Sequence, residues 1–236
     1  MITECGSVPN IVLDKASVWY SVRAKEREDA EDVYKRVVNI AKGAALMTET
    51  ELEIEFLGGC YNTLNNKDLE DVVYRAMGSI RQEEWTEEEH EFAAKLNGYF
   101  NENKEEKIKV NNLPLGTEIH SGVLPMQNDG DGSSSDVGDV AHIVPTAFFT
   151  TACNNIGAPG HNWQITACSG HSIGIKGMIY GAKVLAKAAL DIMVDSDLLE
   201  KAKREFLEKT NGKPYKSPLP DGLEVPGKNT GPICGE

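Results

Sequence analysis

The segment Gly157-Ala-Pro-Gly-His-Asn-Trp163 sets an imidazole, His161, directly after a Pro-Gly turn. It follows an apolar run, VPTAFFTTAC, that reads as a buried strand. Five histidines occur in 236 residues, no two closer than ten positions apart. A neutral imidazole nitrogen can ligate zinc, but a zinc site needs several His, Asp, Glu or Cys ligands close together. The chain has no H-x-D, H-E-x-x-H or H-x-x-x-H. Spacing therefore leaves two readings of His161: one ligand of a scattered set, or a structural histidine beside Trp163.

A second pair could recognise a carboxylate. Asn10 precedes one expected strand and Arg23 ends the next. If those strands pair through the turn at Asp14-Lys15, an amide and a guanidinium meet at one end of the sheet. Together they can hold a carboxylate by two parallel hydrogen bonds. A solvated surface arginine is the alternative. Asp129, Asp131, Ser133 and Ser135 place oxygens at alternate positions, as a calcium loop does, but Ser134 and Val140 stand where such a loop needs Gly and Glu. The acidic runs Glu83-Glu84 and Glu87-Glu88-Glu89 sit at a helix start, where negative charge is favourable in any protein. With no G-x-S-x-G, nucleophilic serine chemistry has no support.

Several elements must position these residues. Ile11–Leu13 and Ala16–Val22 read as strands, and Glu26–Leu46 as an amphipathic helix. In ELEIEF, Leu52, Ile54 and Phe56 alternate with glutamates, the mark of a half-buried strand. Strand, strand, helix, strand is the back portion of a ferredoxin-like sandwich. Helices are expected over the Leu69–Ile80 stripe, from the Thr86/Glu89 capping box, over Ser172–Val194, and from Asp197 to Thr210. VGDVAHIV reads as a short helix and Thr146–Ala152 as a strand. Gly174, Gly177 and Gly181 share one side of the 172–194 helix and predict close packing there. Residues 101–135 read as loop, with NDGDGSSS rich in turn formers. Two units result, 1–57 and 62–210, followed by an extended tail at 211–236.

The net charge of −13 and a pI of about 4.9 disfavour nucleic acid and anionic membranes as partners. No apolar run is long enough to span a bilayer, and the start has neither basic residues nor an apolar core, so no signal peptide is expected. Five widely spaced cysteines without C-x-x-C suit reduced thiols in a cytoplasm.

Taken together, GSVPNIVLDKASVWYSVRAKE, AKGAALMTETELEIEF, SSDVGDVAHIVPTA and GAPGHNWQ with GIKGM resemble the C-terminal half of a dizinc amidohydrolase of the aminoacylase and carboxypeptidase superfamily. The resemblance runs from residue 2 to about residue 210. It implies an α/β fold: the C-terminal part of a zinc-peptidase-like catalytic domain over 62–210, and part of a ferredoxin-like α+β lid and dimerisation domain over 1–57. It makes His161 the last metal ligand, Asn10 and Arg23 the lid pair on the substrate carboxylate, and Ser135 with Asp136 a site-shaping motif. His90, His120, His142 and His171 match no ligand and are read as structural. The implied activity is hydrolysis of an amide between an acyl or aryl group and an amino acid, a small-molecule substrate. The cofactor would be zinc or manganese in the complete enzyme. The H-x-D pair, the bridging aspartate and the general-base glutamate of that family have no counterpart in these residues. The chain alone is thus expected to hold no metal stably and to be inactive. An N-terminal companion chain and a homodimer formed through the lid are the implied partners.

Overall fold

A computed structural model of the chain describes residues 1–99, 103–126 and 135–220. The residues fall into two compact units. One holds Met1–Thr63 with the described parts of Ser134–Asp139 and Tyr215–Glu236, and the other holds the described parts of Leu64–Ser133 and Val140–Pro214. Most of the calcium-like NDGDGSSS run, and the tail beyond residue 220, lie outside the described residues.

In the first unit, β1 (Ile2–Glu4) pairs antiparallel with β2 (Ser17–Val18), Ile2 opposite Val18. The helix α1 (Arg27–Thr48) follows and buries no residue fully. Its Tyr34 ring meets Phe56 edge-on with centroids 5.9 Å apart. The Arg27 guanidinium lies 5.1 Å from the centre of the Tyr61 ring. Asn62 donates to the Glu26 carboxylate at 2.9 Å.

The second unit is built from helices packed on one another. They are α2 (Lys67–Ser79), α3 (Glu87–Tyr99), α4 (Lys104–Val110), α6 (Trp163–Ser169), α7 (Ser172–Val194) and α8 (Ser196–Thr210). The short α5 (Val137–Ala141) precedes α6. Val72 and Ala76 of α2, Tyr180, Val184 and Ala188 of α7, and Leu198 of α8 form the main core. Ala93, Ile119 and Ile173 form a second cluster. Asn66 caps α2 by accepting from the Leu69 N–H, and its amide donates to the Ala202 carbonyl of α8. The capping box at Thr86 is formed: the Glu89 carboxylate accepts from the Thr86 N–H at 2.7 Å, and the Thr86 hydroxyl accepts from the Glu89 N–H at 3.3 Å. The 172–194 helix has the expected bounds. The last helix starts one cap earlier than expected, on Asp195.

Close packing explains two of the three glycines of α7. A Cβ on Gly177 would lie 2.3 Å from the Ala152 carbonyl oxygen, and one on Gly174 would lie 2.5 Å from that of Cys168. Gly181 meets only the Thr151 side chain at ordinary contact distance.

The α/β and ferredoxin-like expectation is overturned: the fold is predominantly helical, and the one sheet among the described residues has two strands. ELEIEF is extended but pairs with nothing, and Leu52 and Ile54 are 40% and 47% exposed. Residues 11–13 and 146–152 form no ladder either. Alternation marks a chain that could line a sheet face, but a strand also needs a neighbour for its N–H and C=O groups. No periodicity supplies that neighbour. Two helices that the periodicity does not predict are present, α4 and α6, both of seven residues. Among the described residues no helix is long and apolar enough to cross a membrane.

Candidate functional site

His161 stands at the tip of a turn whose two legs are anchored in the second unit. On the first leg, Asn155 is fully buried. Its amide donates at 2.6 Å to the side-chain oxygen of Asn97, which also accepts from the Gly157 N–H at 3.0 Å. The Ile156 N–H donates to the Glu118 carbonyl at 2.9 Å, and Lys107 donates to the Ala158 carbonyl at 3.2 Å. On the second leg, Asn162 caps α6 by accepting from the Gln164 N–H at 3.0 Å. The buried Gln164 amide in turn donates to the Leu96 carbonyl at 2.5 Å. Asn97 itself donates to the Glu118 carboxylate at 2.5 Å, whose other oxygen accepts from Lys104, also at 2.5 Å. Buried amides paired in this way tie α3, the 118–120 segment and the turn into one rigid support.

Between these anchors the chain rises to the surface. Ala158 is buried, whereas Gly160 and His161 are exposed. His161 has φ of 56°. The other described non-glycine residues with positive φ, Glu49, Asn112 and Asn211, all follow helix ends, where such a conformation closes the helix. His161 ends no helix, and its left-handed backbone is a local cost that the anchored legs impose. The result is an imidazole held in the open on a fixed backbone.

Removing Asn97 would release the first leg. Asn97→Ala is expected to cost about 1–3 kcal/mol for each of the two donors it leaves unpaired, the Asn155 amide and the Gly157 N–H. Urea unfolding would measure the loss, and faster hydrogen exchange at Gly157 would place it in the turn.

The other histidines have local duties. The His171 ring caps α7 by accepting from the Ile173 N–H at 3.4 Å, and it stacks on Phe92 with centroids 4.2 Å apart. The His120 ring lies 3.1 Å from the Gly122 carbonyl oxygen, and burial pushes its pKa down.

Asn10, Arg23, Ser135 and Asp136 belong to the first unit, His161 to the second. Asn10 and Arg23 are exposed. The strand pairing assumed for them is replaced, since β2 pairs with β1 rather than with residues 11–13. Arg23 Nε lies 3.5 Å from the Ser21 hydroxyl. Ser135 and Asp136 open α5: the Ser135 hydroxyl donates to the Asp136 carboxylate and accepts from the Val137 N–H, each at 3.2 Å. One turn on, the Asp139 carboxylate accepts from the Tyr61 N–H at 3.3 Å and from the Tyr215 hydroxyl at 3.0 Å. Burial and this bond both push the Tyr215 hydroxyl pKa up. Gly138 admits that approach, because a Cβ there would lie 2.1 Å from the Tyr61 carbonyl oxygen.

The support residues Asn97, Asn155 and Gln164 carry no spacing signal, since they come from three segments. Asn162 ahead of Trp163-Gln164 is the one local sign of α6, as a helix cap.

Among the described residues, no three His, Cys, Asp or Glu side chains are grouped so as to hold a metal ion. One imidazole does not make a zinc site. The described residues do not fit the ion by themselves, and no reaction step through a metal follows from them alone.

No family model and no solved structure matches the chain. A curated protein does, with 34% identity over 238 residues that take in 94% of this chain and 50% of the relative. The chain thus spans about half the length of the relative it matches. Identity of this degree over nearly the whole chain makes it a homologue of the p-aminobenzoyl-glutamate hydrolase of Escherichia coli (strain K12), in one of that enzyme's subunits, which links it to the amidohydrolases.

Proposed function

We propose that this chain is the C-terminal portion of a metal-dependent amidohydrolase that cleaves an amide bond to an amino acid, with p-aminobenzoyl-glutamate as the type of substrate. The observation that supports it most is the match across 94% of the chain to a hydrolase of that name, with half of that protein left unmatched. In this reading residues 62–210 contribute to the catalytic part, and residues 1–57 contact substrate and a second copy.

Each residue then has a task it can perform with its own chemistry. His161 offers a nitrogen lone pair at a fixed point and serves as one ligand of a zinc or manganese site. Arg23 and Asn10 hold the free carboxylate of the amino acid by charge-assisted hydrogen bonds. Ser135 and Asp136 shape the site. The remaining ligands and the general base come from polypeptide equivalent to the unmatched portion of the relative. A metal, when bound, supplies a Lewis acid and an acidified water. Water then adds across the amide, giving p-aminobenzoate and glutamate.

Reconstitution tests this. The chain would be co-expressed with the portion of the E. coli relative that it does not match, and assayed with zinc or manganese for release of p-aminobenzoate. Hydrolysis is expected from the combination and none from this chain alone. A folded, metal-loaded combination that releases no p-aminobenzoate would sink the proposal.

A further inference from the structure

Helix α7 is apolar almost all round. Ile173, Gly177, Tyr180, Val184 and Ala188 are buried against the second unit. On the far side Ile175, Met178, Ala182, Leu185, Ala189 and Met193 recur at three- and four-residue steps, and all are exposed. Charge is confined to one edge, along Lys176, Lys183, Lys187 and Asp191. A helix of this kind belongs inside a larger protein, since a surface helix shows one apolar stripe and a polar opposite face. It is no membrane span either. A continuous apolar stripe over 23 residues is more than a free surface normally carries.

We infer that this outer face of α7 is the docking surface for polypeptide corresponding to the half of the relative that the chain does not match; the inference rests on the proposed function for the identity of that occupant. The unmatched half is as long as the matched one, enough to form a body that covers the helix. Ala182 and Ala189, set between the large side chains, let an apolar partner approach the helix backbone closely.

The test is association. The full chain, co-expressed with the unmatched portion of the E. coli relative, is expected to co-purify with it. Leu185→Glu and Met193→Glu, at positions 59% and 81% exposed, should each weaken the complex at least roughly 30-fold, as loss of an interface anchor does. Ile40→Glu, at a position 71% exposed on α1, should bind like the unmodified chain. The circular dichroism and urea midpoint of each variant alone should match the unmodified chain. The inference is overturned if the unmodified chain does not associate, if the two α7 variants bind undiminished, or if Ile40→Glu weakens binding equally. It is also overturned if sedimentation shows a homodimer that Leu185→Glu dissolves while co-purification is unchanged. Association without hydrolysis would keep the docking surface and reject the proposed activity, and hydrolysis undiminished by Leu185→Glu would do the reverse.

Discussion

Lys176→Met is expected to lower the unfolding free energy of the chain by about 3–5 kcal/mol at pH 7, the usual cost of stripping one partner from a buried ion pair. The Glu89 carboxylate is only 2% exposed. It accepts from Lys176 at 2.7 Å, from the Ser172 hydroxyl at 2.6 Å and from the Thr86 N–H at 2.7 Å. Lys176 also donates to the Glu84 carbonyl at 3.0 Å and lies 5.7 Å from the centre of the Trp85 ring. Methionine keeps the stem and removes the charge, so the carboxylate stays buried without its cation. A second change, Glu89→Gln in the same chain, should recover much of the loss, because an amide needs no counter-charge. Urea unfolding of the two single variants and the double variant measures this. A loss below about 1 kcal/mol for Lys176→Met would mean that the pair is effectively solvated.

The same carboxylate sets an acid limit. Burial pushes its pKa up, but the hydrogen bonds from Lys176 and Ser172, the Thr86 N–H and the Lys176 charge outweigh burial and lower it from 4.5 to about 2. Its folded pKa lies below the unfolded one, so its contribution is complete above about pH 5. That contribution is lost as pH falls towards 2. The urea midpoint should drop across that window, and Glu89→Gln should flatten the drop.

His161→Asn is expected to leave the isolated chain within about 0.5 kcal/mol of its original stability, because the side chain is exposed. Asparagine also tolerates the left-handed backbone that position 161 requires. In the reconstituted hydrolase the same change should cost more than the roughly 10–100-fold seen when only a ligand's supporting partner is removed. Metal content of the combination should fall with activity. A variant that destabilised the chain alone by several kcal/mol would make His161 a structural residue.

These two expectations differ in how readable their causes are in the sequence. The Thr86/Glu89 box is plain there, because a cap and its partner lie three residues apart and bond within one turn. The Lys176 partner, 87 residues on, is not. The turn that carries His161 is visible as Pro-Gly, but its rigidity comes from Asn97 and Asn155, 58 residues apart, and from Gln164 reaching Leu96. ELEIEF misleads for the opposite reason: its alternation is real, but no described strand lies beside it.

What the sequence by itself determined are the long helices and their caps, where each backbone hydrogen bond closes over four residues and the apolar stripe is written in the same few turns. It also carried the motif order that resembles an amidohydrolase. What only the tertiary structure decided are the strand pairings, the burial of Glu89 against Lys176, and the amide network under His161. Those depend on which distant segments meet, and no local periodicity encodes that meeting.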